Sequence, residues 1–160
     1  SGFLFKEKKK ARNIIKEKIE EYEIPIAQLS SIKNGADFKS KEGKIIKNKE
    51  LTTIAKSPHS YAFCSDTTLV EENIATIKGV TLLYHEATFM KDLVEKARQT
   101  GHSTTIDAAT MAKKAKVKKL VIGHFSSRYN DLEELLAETK SVFTNTYLAT
   151  DGSTFDFDTI

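Results

Sequence analysis

Cysteine, proline and tryptophan are almost missing from this chain: its 160 residues hold one cysteine, two prolines and no tryptophan. A lone cysteine, Cys64, excludes an intrachain disulfide. It sits inside the apolar run YAFC and reads as a small core residue, although its place two residues before Asp66 leaves a metal role open. No apolar stretch approaches the ~20 residues of a transmembrane helix, and the N-terminus lacks the apolar core of a secretory signal. A soluble, cytoplasmic protein with no membrane contact is expected. Compact metal signatures are absent as well: there is no HxH pair, no HExxH and no CxxC. A large excess of one charge is also lacking, since the formal net charge is only +3.

What is present points to a folded domain. A hydrophobic content of 39% suits a compact soluble protein rather than a tail or a fibre. The basic residues cluster in KEKKKAR (Lys6 to Arg12), KSKEGKIIKNK (Lys39 to Lys49) and KKAKVKK (Lys113 to Lys119). Such clusters attract polyanions, but a solvated face in a lysine-rich chain explains each one alone equally well.

Texture changes near Pro58. Residues 1–58 read as a peripheral segment: GFLF suggests a short strand, Arg12 to Tyr22 an amphipathic helix stopped or restarted by Pro25, and ADFKSKEGKIIKN a hairpin around Glu42-Gly43. From Ser60 onward apolar strands alternate with helical patterns, the signature of layered α/β structure. The predicted strands are Tyr61 to Cys64, Thr81 to Tyr84, Leu120 to Ile122, Tyr147 to Ala149 and Thr154 to Phe157. The predicted helices are Val70 to Ile77, Lys91 to Thr100, Thr105 to Lys116 and Leu132 to Val142. Small residues at Thr105, Ala108, Ala109 and Ala112 predict a helix packed close to a sheet.

Three of these strands run directly into reactive side chains. YAFC leads to Ser65, Asp66 and Thr67; TLLY leads to His85, Glu86 and Thr88; LVI leads to His124 with Ser126 and Ser127. Layered α/β proteins place their sites at strand ends. A further cluster, Gly101-His102-Ser103-Thr104, lies between two helices, where Ser103 or Thr104 can cap the second. Each residue has an ordinary explanation too. Asp66 suits a turn or a helix cap, His102 a surface turn, and Arg128 a structural ion pair. His85 and Glu86 are adjacent and point opposite ways on an extended chain, so Glu86 is favoured at the site and His85 as packing behind it. His59 follows Pro58 and reads as structural. His124 is hardest to dismiss, because the strand before it fixes its depth. Asp66 and His124 are ordinary zinc ligands, yet a catalytic zinc takes three protein ligands and water.

The blocks YAFCSDT, LLYHEATF, GHST, IGHFSSRY and NTYLATDGSTFDF, in this order and spacing, resemble the C-terminal part of ribonuclease Z. That family comprises tRNA 3′-processing endonucleases of the metallo-β-lactamase superfamily. GFLFKEK and KNKELT fit the region before the blocks, so the resemblance covers nearly the whole chain. It implies an α/β (α+β layered) fold in which residues 59–160 form the C-terminal half of a metallo-β-lactamase αβ/βα sandwich. It implies two Zn2+ ions per full-length site, other divalent metals being possible, with Asp66 bridging them and His124 completing one metal's shell. Glu86 and His102 are implied to assist proton transfer, and the loop carrying Ser103 and Thr104 to lie against the scissile phosphate; Ser126 and Arg128, read from the residues themselves, are expected to contact phosphate or neighbouring loops. Precursor tRNA is the implied substrate, and the full-length enzyme is expected to be a homodimer.

One departure limits these implications. The family's HxHxDH motif and its later histidine ligand have no match here. The 160 residues alone are therefore expected to bind zinc weakly and to cleave no tRNA precursor. Two other readings remain: a non-catalytic RNA- or phosphate-binding module, and another phosphodiesterase of the same superfamily. The Glu86 and His102 loops make the latter less favoured.

Overall fold

The alternation that begins at Ser60 becomes one sheet with helices packed on it. The structure, a computed structural model, describes residues 2–159. In chain order the elements are β1 (Gly2–Lys6), β2 (Asn13–Ile14), α1 (Lys16–Glu21), α2 (Ile26–Lys33), β3 (Phe38–Lys39), β4 (Ile45–Ile46), α3 (Asn48–Leu51) and β5 (Thr52–Thr53). They continue with β6 (Ser60–Cys64), α4 (Asn73–Thr76), β7 (Leu82–Glu86), α5 (Val94–Thr100, after a 3₁₀ turn at Lys91–Leu93), α6 (Thr105–Ala115), β8 (Lys119–Gly123), α7 (Glu133–Lys140) and β9 (Thr146–Leu148). The chain divides into two compact units, residues 2–7 with 59–159, and residues 8–58. The terminal residues Ser1 and Ile160 of the two segments expected from sequence lie outside the described residues.

In the larger unit the strand order is β1-β6-β7-β8-β9. β1 lies antiparallel on β6, and the other neighbours run parallel. Leu82 and Leu83 of β7, and Leu120, Val121 and Ile122 of β8, are buried, as near-continuous apolar runs of central parallel strands must be. One sheet face carries Ala62, Cys64, Leu83, Leu120 and Ile122, packed with Ala108, Met111, Ala112 and Ala115 of α6. Alanine at these helical positions lets the α6 backbone lie close to the strands. Thr104 and Asp107 start that helix with reciprocal capping bonds of 3.1 and 2.9 Å.

The opposite sheet face is aromatic. Phe3 stands opposite Phe63 and Phe5 opposite Tyr61. Phe5 stacks on Tyr61, and Phe63 stacks on Tyr84. Phe3 and Phe5 remain 62% and 60% exposed. Tyr84 lies so close over Gly123 that a Cβ there would stand 2.6 Å from its hydroxyl, so any larger residue at 123 requires the tyrosine ring to shift.

Several elements differ from the sequence expectation. The segment Thr154 to Phe157 is not a strand. The chain turns at Gly152, where φ is +81°, and Phe157 then stacks on His59 while its carbonyl accepts a bond from Lys119. The helix expected over Val70 to Ile77 shortens to Asn73–Thr76, its first part taken by a turn. The helix expected from Arg12 begins only at Lys16, because Asn13 and Ile14 pair with Thr53 and Thr52.

The smaller unit encloses its own core of Ile24, Ile32, Phe38, Ile46 and Leu51. Its hairpin is the one expected from sequence: Phe38 pairs with Ile46 and Lys39 with Ile45, with Gly43 at φ +84° in the turn. Asn48 ties the unit together by donating to the carbonyls of Ile32 and Ala36.

Candidate active site

Parallel pairing places the C-terminal ends of β6, β7 and β8 side by side, with Cys64 beside His85, His85 beside Ile122 and Glu86 beside Gly123. The residues that follow each strand therefore converge. Asp66 and His124 both adopt left-handed backbone conformations, with φ of +48° and +60°. Such values are uncommon outside glycine, though aspartate and histidine tolerate them better than most residues. They reverse the chain just beyond the strand.

Glu86 is the hub. It is fully buried, and its Oε1 accepts from the Thr67 amide at 2.8 Å and from His102 Nδ1 at 2.8 Å. Its Oε2 accepts from the Thr88 hydroxyl at 2.6 Å, the Ser103 amide at 3.1 Å and the Thr88 amide at 3.3 Å. Burial pushes this carboxyl upward, but the donors from Thr88, His102, Ser103 and Thr67 outweigh it, and the net shift is below the ordinary glutamate range. Glu86 is thus an ionised carboxylate held dry.

Asp66 and His124 form the outer half of the site, with Asp66 Oδ1 3.2 Å from His124 Nε2. The two histidine rings lie 5.3 Å apart between centroids. One ligand-type atom from each of Asp66, Glu86, His102 and His124 lies within 4.8 Å of the others. A carboxylate oxygen facing an imidazole nitrogen fits a divalent metal. Glu86 fits less well, because five donors already occupy its oxygens. Of these four residues, Asp66 and His124 are the candidates to hold a metal.

The residues expected at the substrate are placed unequally. Ser126 and Arg128 lie on the loop after β8, where Arg128 is exposed, donates to the Ser126 hydroxyl at 3.0 Å and covers the Phe89 ring at 5.1 Å. Phe89 in turn meets His102 edge-on at 6.3 Å. Ser103 and Thr104 are buried instead. Ser103 donates its hydroxyl to the Thr67 carbonyl at 2.6 Å, and Thr104 caps α6, so both side chains serve as internal ties of the loop.

His85, expected as packing behind the site, is fully buried on the helix-covered side, its Nδ1 bonded to the Glu86 carbonyl at 2.7 Å. One feature escaped the sequence reading: Thr88 touches both Glu86 and His124. A hydroxyl two residues beyond a strand-end carboxylate was the available signal.

No protein-family model matches the chain. Among curated proteins it is 45% identical to "Ribonuclease Z" of Bacteroides fragilis over 148 residues, covering 92% of this chain and 49% of that protein. It is 44% identical to "Ribonuclease Z" of Porphyromonas gingivalis over 155 residues, covering 97% of this chain and 51% of that protein. Among solved structures, a long-form RNase Z from yeast matches with a TM-score of 0.57 and 26% identity, over 66% of this chain and 14% of that one. The short form of human tRNase Z matches with a TM-score of 0.50 and 28% identity, over 62% of this chain and 33% of that one. A metallo-β-lactamase fold protein from Bacillus subtilis, at 24% identity and a TM-score of 0.55 over 59% of this chain and 39% of that one, bears on the fold alone. The chain spans about half the length of the curated relatives it matches. Over nearly its whole length the chain is thus similar to ribonuclease Z sequences, and it shares the metallo-β-lactamase fold.

Proposed function

We propose that this chain supplies one side of the active site of a zinc-dependent endoribonuclease that removes 3′ trailers from precursor tRNA. The observation that carries the reading is the meeting, at three adjacent strand ends, of a buried Glu86 bonded to the half-buried His102 with an exposed Asp66–His124 pair, in a chain that matches ribonuclease Z sequences. Asp66 and His124 would hold the metal. Zinc bound there would polarise the scissile phosphodiester and lower the pKa of a water.

The remaining work falls to the side chains of this chain. Glu86, ionised and fixed, accepts from Nδ1 of His102 and steadies that ring when it carries a positive charge. His102 can then pass a proton from Nε2 to the departing ribose oxygen. Arg128, exposed and lying over the Phe89 ring that His102 also meets, offers a guanidinium to a neighbouring phosphate. Sequence-independent attraction to RNA is supported by a concavity of about 650 Å³ in the smaller unit, whose lining includes Lys9, Lys10, Arg12, Lys33 and Lys56.

Two ligands from these 160 residues are too few for a catalytic zinc centre, so the polypeptide alone is expected to be inactive. The test is precursor-tRNA cleavage with added zinc or manganese, by the chain alone and by the chain joined to the remaining half of a ribonuclease Z relative. Cleavage is expected only from the joined protein. It should vanish with Asp66→Ala or His124→Ala and fall about 10²- to 10⁴-fold with His102→Ala or Glu86→Gln. Robust 3′-end cleavage by the chain alone, or by the joined protein carrying Asp66→Ala, overturns the reading.

A further inference from the structure

We infer that Thr88 is the residue that sets the tautomer of His124, a positioning residue linking the Glu86–His102 pair to the histidine that would hold metal. Its side-chain oxygen lies 2.6 Å from Glu86 Oε2, 2.9 Å from His124 Nδ1 and 3.0 Å from the His124 carbonyl. A threonine hydroxyl has one hydrogen to give. Both Glu86 oxygens act as acceptors, taking the amides of Thr67, Thr88 and Ser103, and Glu86 makes the shortest of the three contacts. The hydrogen goes to Glu86.

The bond to His124 must then run the other way. Nδ1 of His124 carries the hydrogen and donates it to the Thr88 oxygen, which leaves Nε2 of the neutral ring as a bare lone pair. That lone pair faces Asp66 Oδ1 across 3.2 Å. Two acceptors facing each other at this distance repel unless something positive lies between them. Thr88 thus prepares an imidazole nitrogen and a carboxylate oxygen to receive a cation, at the expense of the alternative in which His124 donates to Asp66. The position of Thr88 is itself fixed: it is 6% exposed, its amide reaches Glu86 Oε2, and its carbonyl accepts from the Ser126 amide at 3.1 Å.

The use of this tautomer rests on the function proposed above, but the tautomer itself does not. It can be read without RNA by two-bond proton–nitrogen correlation of the imidazoles in the ¹⁵N-labelled 160-residue chain, at a pH well above the ordinary histidine range. Wild type should show a protonated Nδ1 on His124. Thr88→Val, which keeps the shape and removes the hydroxyl, should shift that nitrogen toward the unprotonated position, and Thr88→Ser should restore it. His85, whose Nδ1 is bonded to the Glu86 carbonyl, reports in each variant that the strand end is intact. Titration with Zn2+ alone should need at least about tenfold more metal to perturb His124 in Thr88→Val than in wild type or Thr88→Ser.

An unprotonated His124 Nδ1 in the wild type overturns the inference, whether or not the valine variant folds. So does an unchanged Nδ1 in a folded Thr88→Val chain. A joined protein that fails to cleave precursor tRNA while the His124 results stand would overturn the proposed function and leave this inference in place.

Discussion

Burial leaves His85 with Nδ1 on the Glu86 carbonyl and Nε2 without a hydrogen-bond partner. Desolvation pushes its pKa below the ordinary histidine range, against the opposing pull of its bond to Glu86. The consequence for stability has a definite sign. A histidine whose folded pKa is depressed stays neutral in the fold while the unfolded chain takes up a proton, so its contribution is complete above the ordinary value of about 6.5 and declines as pH falls below it. Urea unfolding midpoints should therefore drop on acidification through that window. His85→Asn, which keeps a donor for the Glu86 carbonyl but cannot titrate, should show a shallower drop. An equally steep acid slope in His85→Asn would place the effect elsewhere. The same residue scale shows what sequence could and could not reveal. Asp66, Glu86 and His124 were legible because each follows an apolar strand that fixes where it must emerge. Thr88 was not, because its hydrogen bond to a residue 36 positions away has a direction decided only by the three atoms that meet there.

At the scale of elements, the stretch from His102 to Asp107 joins chemistry to architecture. The same few residues deliver His102 to Glu86 and start α6. Removing the cap with Thr104→Ala should cost about 0.5 to 2 kcal/mol in chemical denaturation, whereas Thr104→Ser should recover most of it. A loss well below that range would show that packing of the α6 alanines, rather than capping, fixes the helix start. The central strands and α6 were readable because Leu82 and Leu83, Leu120 to Ile122, and Ala108, Ala112 and Ala115 carry their periodicity within one element. The tail was not: Thr154 to Phe157 has a strand-like composition, but the turn at Gly152 leads Phe157 to the His59 ring instead of to a strand. The core of the smaller unit was equally hidden, since Phe38, Ile46 and Leu51 come from elements too short to show a pattern and Ile24 from the link between α1 and α2.

At the scale of the whole molecule, the larger unit has a helix-covered sheet face and an aromatic one whose Phe3 and Phe5 remain mostly exposed. Contiguous apolar surface of this kind drives association. Light scattering of the 160-residue chain should show an average mass that rises with concentration, and Phe3→Ser with Phe5→Ser should suppress the rise. A constant monomer mass over a wide concentration range would count against it. A different tension runs through the same molecule at Asp66 and His124, whose left-handed backbones cost a residue with a side chain about 1–2 kcal/mol each. Glycine would relieve that strain, so Asp66→Gly and His124→Gly should melt at or above the wild-type temperature although each deletes a candidate ligand. Selection for heat resistance alone would drift toward glycine at both positions, and only a demand for chemistry would restore the aspartate and the histidine.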